Sequence, residues 1–290
     1  MDNLRASLLM IAAMAGFAVE DMFVKALAET LPVGEILALL GGCGAVVFAT
    51  GAAFRRERIW SRDLLAPTVV LRNLGELIGT MGFVLAVALT PLAEASAILQ
   101  ALPLVVTLGA ALFLGEAVGW RRWTAIAVGF LGVLLVIRPG LSGFNPLSIL
   151  AVISVIGLGI RDVVTRRVPK RISSWQLSTS AFAILVPAGL ILMVMMGDSA
   201  RMPSPLQFAA LLGAIICGVL GYLALIAAMR MGDTSAVTPF RYTRLLCAIA
   251  IGWAVFGEVP DLTTLLGGAI IVASGLYTLI REARLKRRSA

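Results

Sequence analysis

Ten ionisable side chains stand inside long apolar stretches of this chain: the acids Glu20, Asp21, Glu76, Glu94 and Asp162, and the bases Lys25, Arg72, Arg161, Arg241 and Arg244. In hydrocarbon each such charge costs roughly 2.5 to 3.5 kcal/mol on insertion scales, so each requires a partner, water or a task. Five against five balances. The balance predicts internal ion pairs and a cavity without strong net sign, which suits a neutral or zwitterionic ligand better than a polyanion. The chain has no histidine, so a proton carried with a ligand would ride on Glu20, Glu76, Glu94 or Asp162. Facilitated diffusion or exchange fits the same residues equally well.

Spacing sorts these groups. Arg72 and Glu76 are four residues apart, share a helix face with Asn73 beside them, and can pair locally or contact a ligand. Their counterpart in the second half of the chain, Ala214 to Gly218, is apolar, with Tyr222 the next polar group. In Thr238-Pro239-Phe240-Arg241-Tyr242-Thr243-Arg244 the proline removes a backbone donor just before two arginines three residues apart. This is the preferred binding element. Opposite it stand Glu94, Ser96, Gln100 and Pro103, so Arg241 or Arg244 is expected to pair with Glu94 or Glu76, one arginine structural and one facing the ligand. Phe17, Tyr222, Phe240 and Tyr242 could stack on a flat ring, although plain packing accounts for aromatics in helices as well.

The elements that must position these groups follow from hydropathy. With 60% hydrophobic residues and a mean hydropathy of +0.98, the chain has more apolar surface than a soluble core of 290 residues could hide, and reads as an all-α polytopic membrane protein. Ten spans can be drawn, near 4–25, 32–54, 64–87, 91–114, 120–137, 146–165, 175–196, 205–228, 235–256 and 262–280. No interval between them has room for a soluble domain. The first span lacks a small-residue cleavage site and reads as a retained helix. The formal charge of +8 reports topology rather than nucleic-acid binding. With the N-terminus in the cytoplasm, the clusters Arg55 to Arg62, Arg121-Arg122, Arg166 to Arg171 and Arg281 to Arg288 all lie inside, and only Arg138 and Arg201 lie in outer loops. Both termini are then cytoplasmic. Cys43, Cys217 and Cys247 fall in spans at spacings that match no disulfide framework or metal site.

A repeat organises the spans. Ala15-Gly16-Phe17-Ala18-Val19-Glu20-Asp21 has a mate in Ile156-Gly157-Leu158-Gly159-Ile160-Arg161-Asp162, and Phe113-Leu114-Gly115-Glu116 has a mate in Val255-Phe256-Gly257-Glu258. Two repeats, 1–140 and 141–290, each hold five spans. Five is odd, so the second repeat enters the membrane inverted, and such repeats place a substrate near the midplane between them. Inversion sets Glu20-Asp21 and Arg161-Asp162 above and below that midplane, as outer and inner gates or as helix-end charges that snorkel. Gly75 with Gly79, Gly41 with Gly42, and Gly129 with Gly132 are expected at close helix contacts. Glu116 and Glu258 are expected to face headgroups or a loop partner.

Two five-helix halves, each ending in an apolar run, Gly-Glu and a glycine-rich last helix, resemble the EamA family of the drug/metabolite transporter superfamily over nearly the whole chain. The opening Met1-Asp2-Asn3-Leu4 through Ala15 to Met22 is similar to its bacterial riboflavin uptake branch. The resemblance implies a secondary carrier of the bacterial inner membrane that moves a small organic metabolite by alternating access, as monomer or homodimer. Riboflavin uptake is the first expectation; S-adenosylmethionine or amino-acid transport is the alternative. No cofactor or metal is expected. An ATP-driven pump would need a phosphate-binding loop that is absent, and an intramembrane enzyme would need a catalytic dyad or metal set that a chain without histidine does not offer. A purely structural role would leave ten buried charges without use.

Overall fold

The computed structural model describes the backbone of residues 2–115, 119–140, 144–169, 171–231 and 237–289, and among these the regular structure is helical throughout. The helices are α1 (Asp2–Ala28), α2 (Val33–Phe54), α3 (Pro67–Leu89), α4 (Leu92–Leu99), α5 (Leu102–Phe113), α6 (Trp120–Ile137), α7 (Ile149–Thr165), α8 (Ser174–Ala183), α9 (Leu185–Met196), α10 (Pro205–Met231), α11 (Thr243–Phe256) and α12 (Leu262–Ser289). Short 3₁₀ turns precede α3, α7 and α11.

Proline explains the breaks. Pro103 cannot donate to the Leu99 carbonyl and its ring crowds that turn, so the expected fourth span divides into α4 and α5 at Gln100-Ala101. Pro187 divides the seventh into α8 and α9 in the same way. Among the described residues nine stretches are long and apolar enough to cross a membrane. The ninth expected span, 235–256, departs from a continuous helix: a 3₁₀ turn, Thr238–Tyr242, holds Pro239 and leads into α11. At 14 residues, α11 rises only about 21 Å, short of a bilayer core of about 30 Å.

Close contacts fix how the helices pair. Gly16 of α1 lies against Cys217 and Gly221 of α10, while Phe23 lies against Gly213, so the two run antiparallel. Likewise Gly75 and Gly79 of α3 meet Gly157, Leu158 and Arg161 of α7, and Gly82 meets Leu150 and Ser154. The absent Cβ matters at Gly75, where one would stand 2.8 Å from the Gly157 carbonyl oxygen. Gly41 packs on Leu185, and Gly129 and Gly132 face Ser274 and Gly267, all antiparallel. The first helix of each half thus packs on the third helix of the other, the second on the second, and the fifth on the fifth. That exchange is what two inverted halves require. Between them Leu27, Ile36, Leu92, Ile98, Val136 and Ile271 form one continuous core.

Candidate functional site

The close approach of α3 and α7 turns two local expectations into one network. Arg72 pairs with Glu76 at 2.9 Å, Glu76 also accepts from Arg161 at 3.0 Å, and Arg161 donates through Nε to Asp162 at 2.8 Å. Asn73 accepts from Arg72 at 3.1 Å and donates to Ser180 of α8 at 3.1 Å. Four charges cancel here in a row, with Arg161 and Asp162 of the expected inner gate tied to the third span rather than set apart.

The pairing expected for the arginines of the preferred binding element does not form. Arg244 grips Asp21 with two nitrogens, at 2.8 to 3.1 Å, and stands over the rings of Phe17 and Phe83 at 5.4 and 5.0 Å. Glu94 instead accepts from Ser148. The reason is the rotation of α11, which turns Arg244 toward Asp21 of α1 and the Phe83 ring of α3 rather than toward Glu76 or Glu94. Lys25 does not snorkel: it pairs with Glu258 at 2.9 Å. Glu258 therefore faces a helix partner rather than headgroups, and Glu116 lies outside the described residues. Gln100 donates to the Tyr242 carbonyl at 3.2 Å, bracing the two proline breaks against each other. Tyr242 is buried with its ring against Gly275, and Phe240 packs in a cluster with Met10, Met14 and Val237. Neither lines a described cavity.

Among the described residues, two adjoining cavities share Phe48 and Tyr222. The larger, about 420 Å³, is walled by Phe48, Trp175, Ser178, Tyr222, Met229 and Arg241 and reaches exposed Arg55 and Ser174 at the pole where α2 ends. The smaller, about 70 Å³, runs deeper past Phe17, Glu20, Leu40, Phe182, Ile215 and Gly218. Phe48 is the hub. Its ring lies 5.1 Å from Tyr222 edge-on, 5.2 Å from Phe182 and 6.0 Å from Trp175. The Ser178 and Tyr222 hydroxyls are 3.1 Å apart, and Arg55 stacks over Trp175 at 5.3 Å. A separate groove of about 660 Å³ between α3, α5, α6 and α7 is lined almost wholly by aliphatic chains and offers little to orient a polar ligand.

The ten intramembrane charges now resolve. Eight hold one another, Glu258 or Ser148. Glu20 and Arg241 have no side-chain hydrogen bond or ion pair among the described residues, and they stand in the walls of the small and large cavities respectively. Glu20 lies against Gly218, where the carboxylate occupies the space a Cβ would need. Of the residues singled out from sequence, Phe17, Glu20, Tyr222 and Arg241 thus reach the cavities. Arg72, Asn73, Glu76, Glu94, Gln100, Arg161, Asp162 and Arg244 serve helix contacts. Phe48, Trp175 and Ser178 escape a sequence reading because aromatic and small polar residues in apolar helices carry no charge signal. The one hint for Phe48 is its place on the α2 face that carries Gly41, Gly44 and Gly51, all packed on α8 or α9.

A membrane-spanning bundle of two inverted halves around a small, partly polar cavity is the build of a transporter. The model of the EamA-like transporter family matches residues 4–138 and again 146–280, and the chain belongs to that family. It is 26% identical to an S-adenosylmethionine uptake transporter of Rickettsia conorii, over 76% of this chain and 74% of that one. It is 29% identical to a riboflavin transporter of Rhizobium johnstonii, over 73% and 70%, and 27% identical to a pseudopaline exporter of Pseudomonas aeruginosa, over 92% and 93%. A solved crystal structure, 18% identical, superposes with a TM-score of 0.62 over 97% of this chain and 98% of its own, a likeness of fold. The protein is a multi-pass membrane transporter for a small molecule.

Proposed function

We propose that this transporter takes up a planar metabolite with polar groups at its ring edges, riboflavin first among them, across the bacterial inner membrane by alternating access. The observation that carries the reading is the joined cavity, in which three aromatic rings, Phe48, Trp175 and Tyr222, stand between the unpaired Arg241 and the unpaired Glu20. Ring faces give stacking surface. Arg241 would donate to the carbonyl edge of a flavin-like ring, and Glu20 would accept from a ring N–H or a hydroxyl. One free base and one free acid suit a neutral or zwitterionic ligand, and the similarity to a riboflavin transporter supports the choice.

S-adenosylmethionine is the second reading. A carboxylate beside aromatic rings also suits a cationic ligand, and relatives of similar identity carry that name. Amino-acid export is the remaining alternative, and a named exporter stands among the similar proteins. We place both termini in the cytoplasm from the basic-loop asymmetry, so that the large cavity opens inward, and take 1–140 and 141–290 as the two bodies that move. The deciding measurement is accumulation of radiolabelled riboflavin and, separately, S-adenosylmethionine in cells lacking importers for both. Riboflavin accumulation that falls at least about tenfold in Arg241→Gln, the scale of a lost charged hydrogen bond, is the expected result. Accumulation of S-adenosylmethionine alone transfers the assignment to the second reading, and accumulation of neither overturns uptake of both.

A further inference from the structure

The pole opposite the cavity mouth is held by an unusual knot. At the end of α1, Lys25 donates to the Thr90 carbonyl at 2.6 Å and the Val87 carbonyl at 3.3 Å, and pairs with Glu258 at 2.9 Å. The other carboxylate oxygen of Glu258 accepts from the Leu92 backbone N–H at 2.8 Å. The ammonium therefore sits on the last carbonyls of α3 and the carboxylate on the first free N–H of α4, each ion at the helix end whose dipole favours it. The Leu92 N–H is one of the donors that a helix start leaves without an intrahelical acceptor, and Pro91, at the cap position, offers no side chain to meet it, so the acceptor comes from outside α4. Glu258 is aimed by Gly257, which takes a positive φ of 65° just past α11, and the Lys25 ammonium also lies 5.5 Å from the Phe256 ring.

The carbonyl contacts hold Lys25 to the α3–α4 turn within one half, while the Lys25–Glu258 pair, the Leu92–Glu258 hydrogen bond and the Phe256 contact join that half to the end of α11, from the other. The side chains are mostly buried, with 12% and 19% exposed for Lys25 and Glu258. The cavity system ends in depth at Leu40 and Ile215 and opens at Arg55 and Ser174, so the knot lies on the closed side. We propose that Lys25 and Glu258 are the gate at this pole: the pair forms only when the halves meet there, and it must part for the cavity to open to that side. The assignment does not depend on which metabolite is carried. A pair made in one state alone sets the population of that state, and loss of one partner strands the other charge among buried groups.

The test uses the full chain in membrane vesicles of both orientations, with Cys43, Cys217 and Cys247 replaced by serine and Leu40→Cys introduced as reporter. A membrane-impermeant maleimide is the probe, and Glu29→Cys, at an exposed site just past α1, identifies the side this pole faces. Lys25→Met and Glu258→Gln should each speed labelling of position 40 from that side by about tenfold or more. The double variant should match the faster single within about twofold, since the two residues act as one unit. Parent-like rates in both singles would overturn the gate. So would a double variant whose effect is the product of the two singles, or an equal rise from both sides of the membrane, which would report a loosened fold.

Discussion

Asp21 and Arg244 lie 223 positions apart in sequence yet form a buried ion pair held through two guanidinium nitrogens, with the Asp21 side chain 7% exposed. A buried pair of this kind is weak evidence for stability as a unit, but removal of one member is costly because the other stays charged and dry. Asp21→Asn is expected to destabilise the protein by about 3 to 5 kcal/mol, read as a lowered melting temperature in detergent. Asp21→Leu with Arg244→Met is expected to recover most of that loss, since matched apolar replacement of a buried pair is often neutral. Glu20, the neighbour of Asp21 in sequence, should behave differently. Glu20→Gln is expected to leave the stability within about 0.5 kcal/mol of parent, with the melting temperature nearly unchanged, as at sites without partners, while changing uptake. A large stability loss there would show that the carboxylate is structural.

At the scale of elements, the α3–α7 contact is the most demanding. A Cβ at Gly157 would approach the Gly79 backbone nitrogen at 2.5 Å, whereas one at Gly42 would meet only Val186 at 3.7 Å. Gly157→Ala must therefore push two backbones apart and disturb Glu76 and Arg161 with them, and Gly42→Ala has room. The first is expected to cost at least about 1 to 3 kcal/mol, the range of overpacking, and the second less than about 0.5 kcal/mol; melting temperatures of the two single variants check the contrast. Much of this level was legible beforehand. The glycine spacing announced close helix contacts, and Pro103, Pro187 and Pro239 coincide with the three breaks. What spacing could not say is which glycine meets which helix. Gly41 and Gly42 are adjacent, yet only Gly41 is pressed against backbone, at the Phe182 carbonyl.

At the scale of the molecule, the halves are joined at one pole by Arg138 and Asp261, at the end of α6 and the start of α12. Burial alone would raise the Asp261 carboxyl. The Thr264 backbone N–H and hydroxyl, Arg138 and Thr263 outweigh it and hold the group at about 2, below its ordinary 3.8. A depressed carboxyl stabilises the folded state fully above its unfolded value, and the contribution disappears as pH falls through the folded one. The difference in melting temperature between parent and Asp261→Asn should be constant above about pH 5 and shrink toward zero near pH 2. A difference that persists at pH 2 would assign the effect to packing rather than charge.

Sequence alone determined the membrane class, the approximate span positions, the tandem repeat and its inversion, because hydropathy, loop charge and span parity are properties of local stretches and of their order. It also marked the ten charges that must find partners. Only the tertiary structure decided the partners, since those depend on the rotation of each helix about its own axis, to which composition is blind. That rotation joins Arg72, Glu76, Arg161 and Asp162, closes Asp21 on Arg244 and Lys25 on Glu258, and leaves Glu20 and Arg241 facing the aromatic cavity.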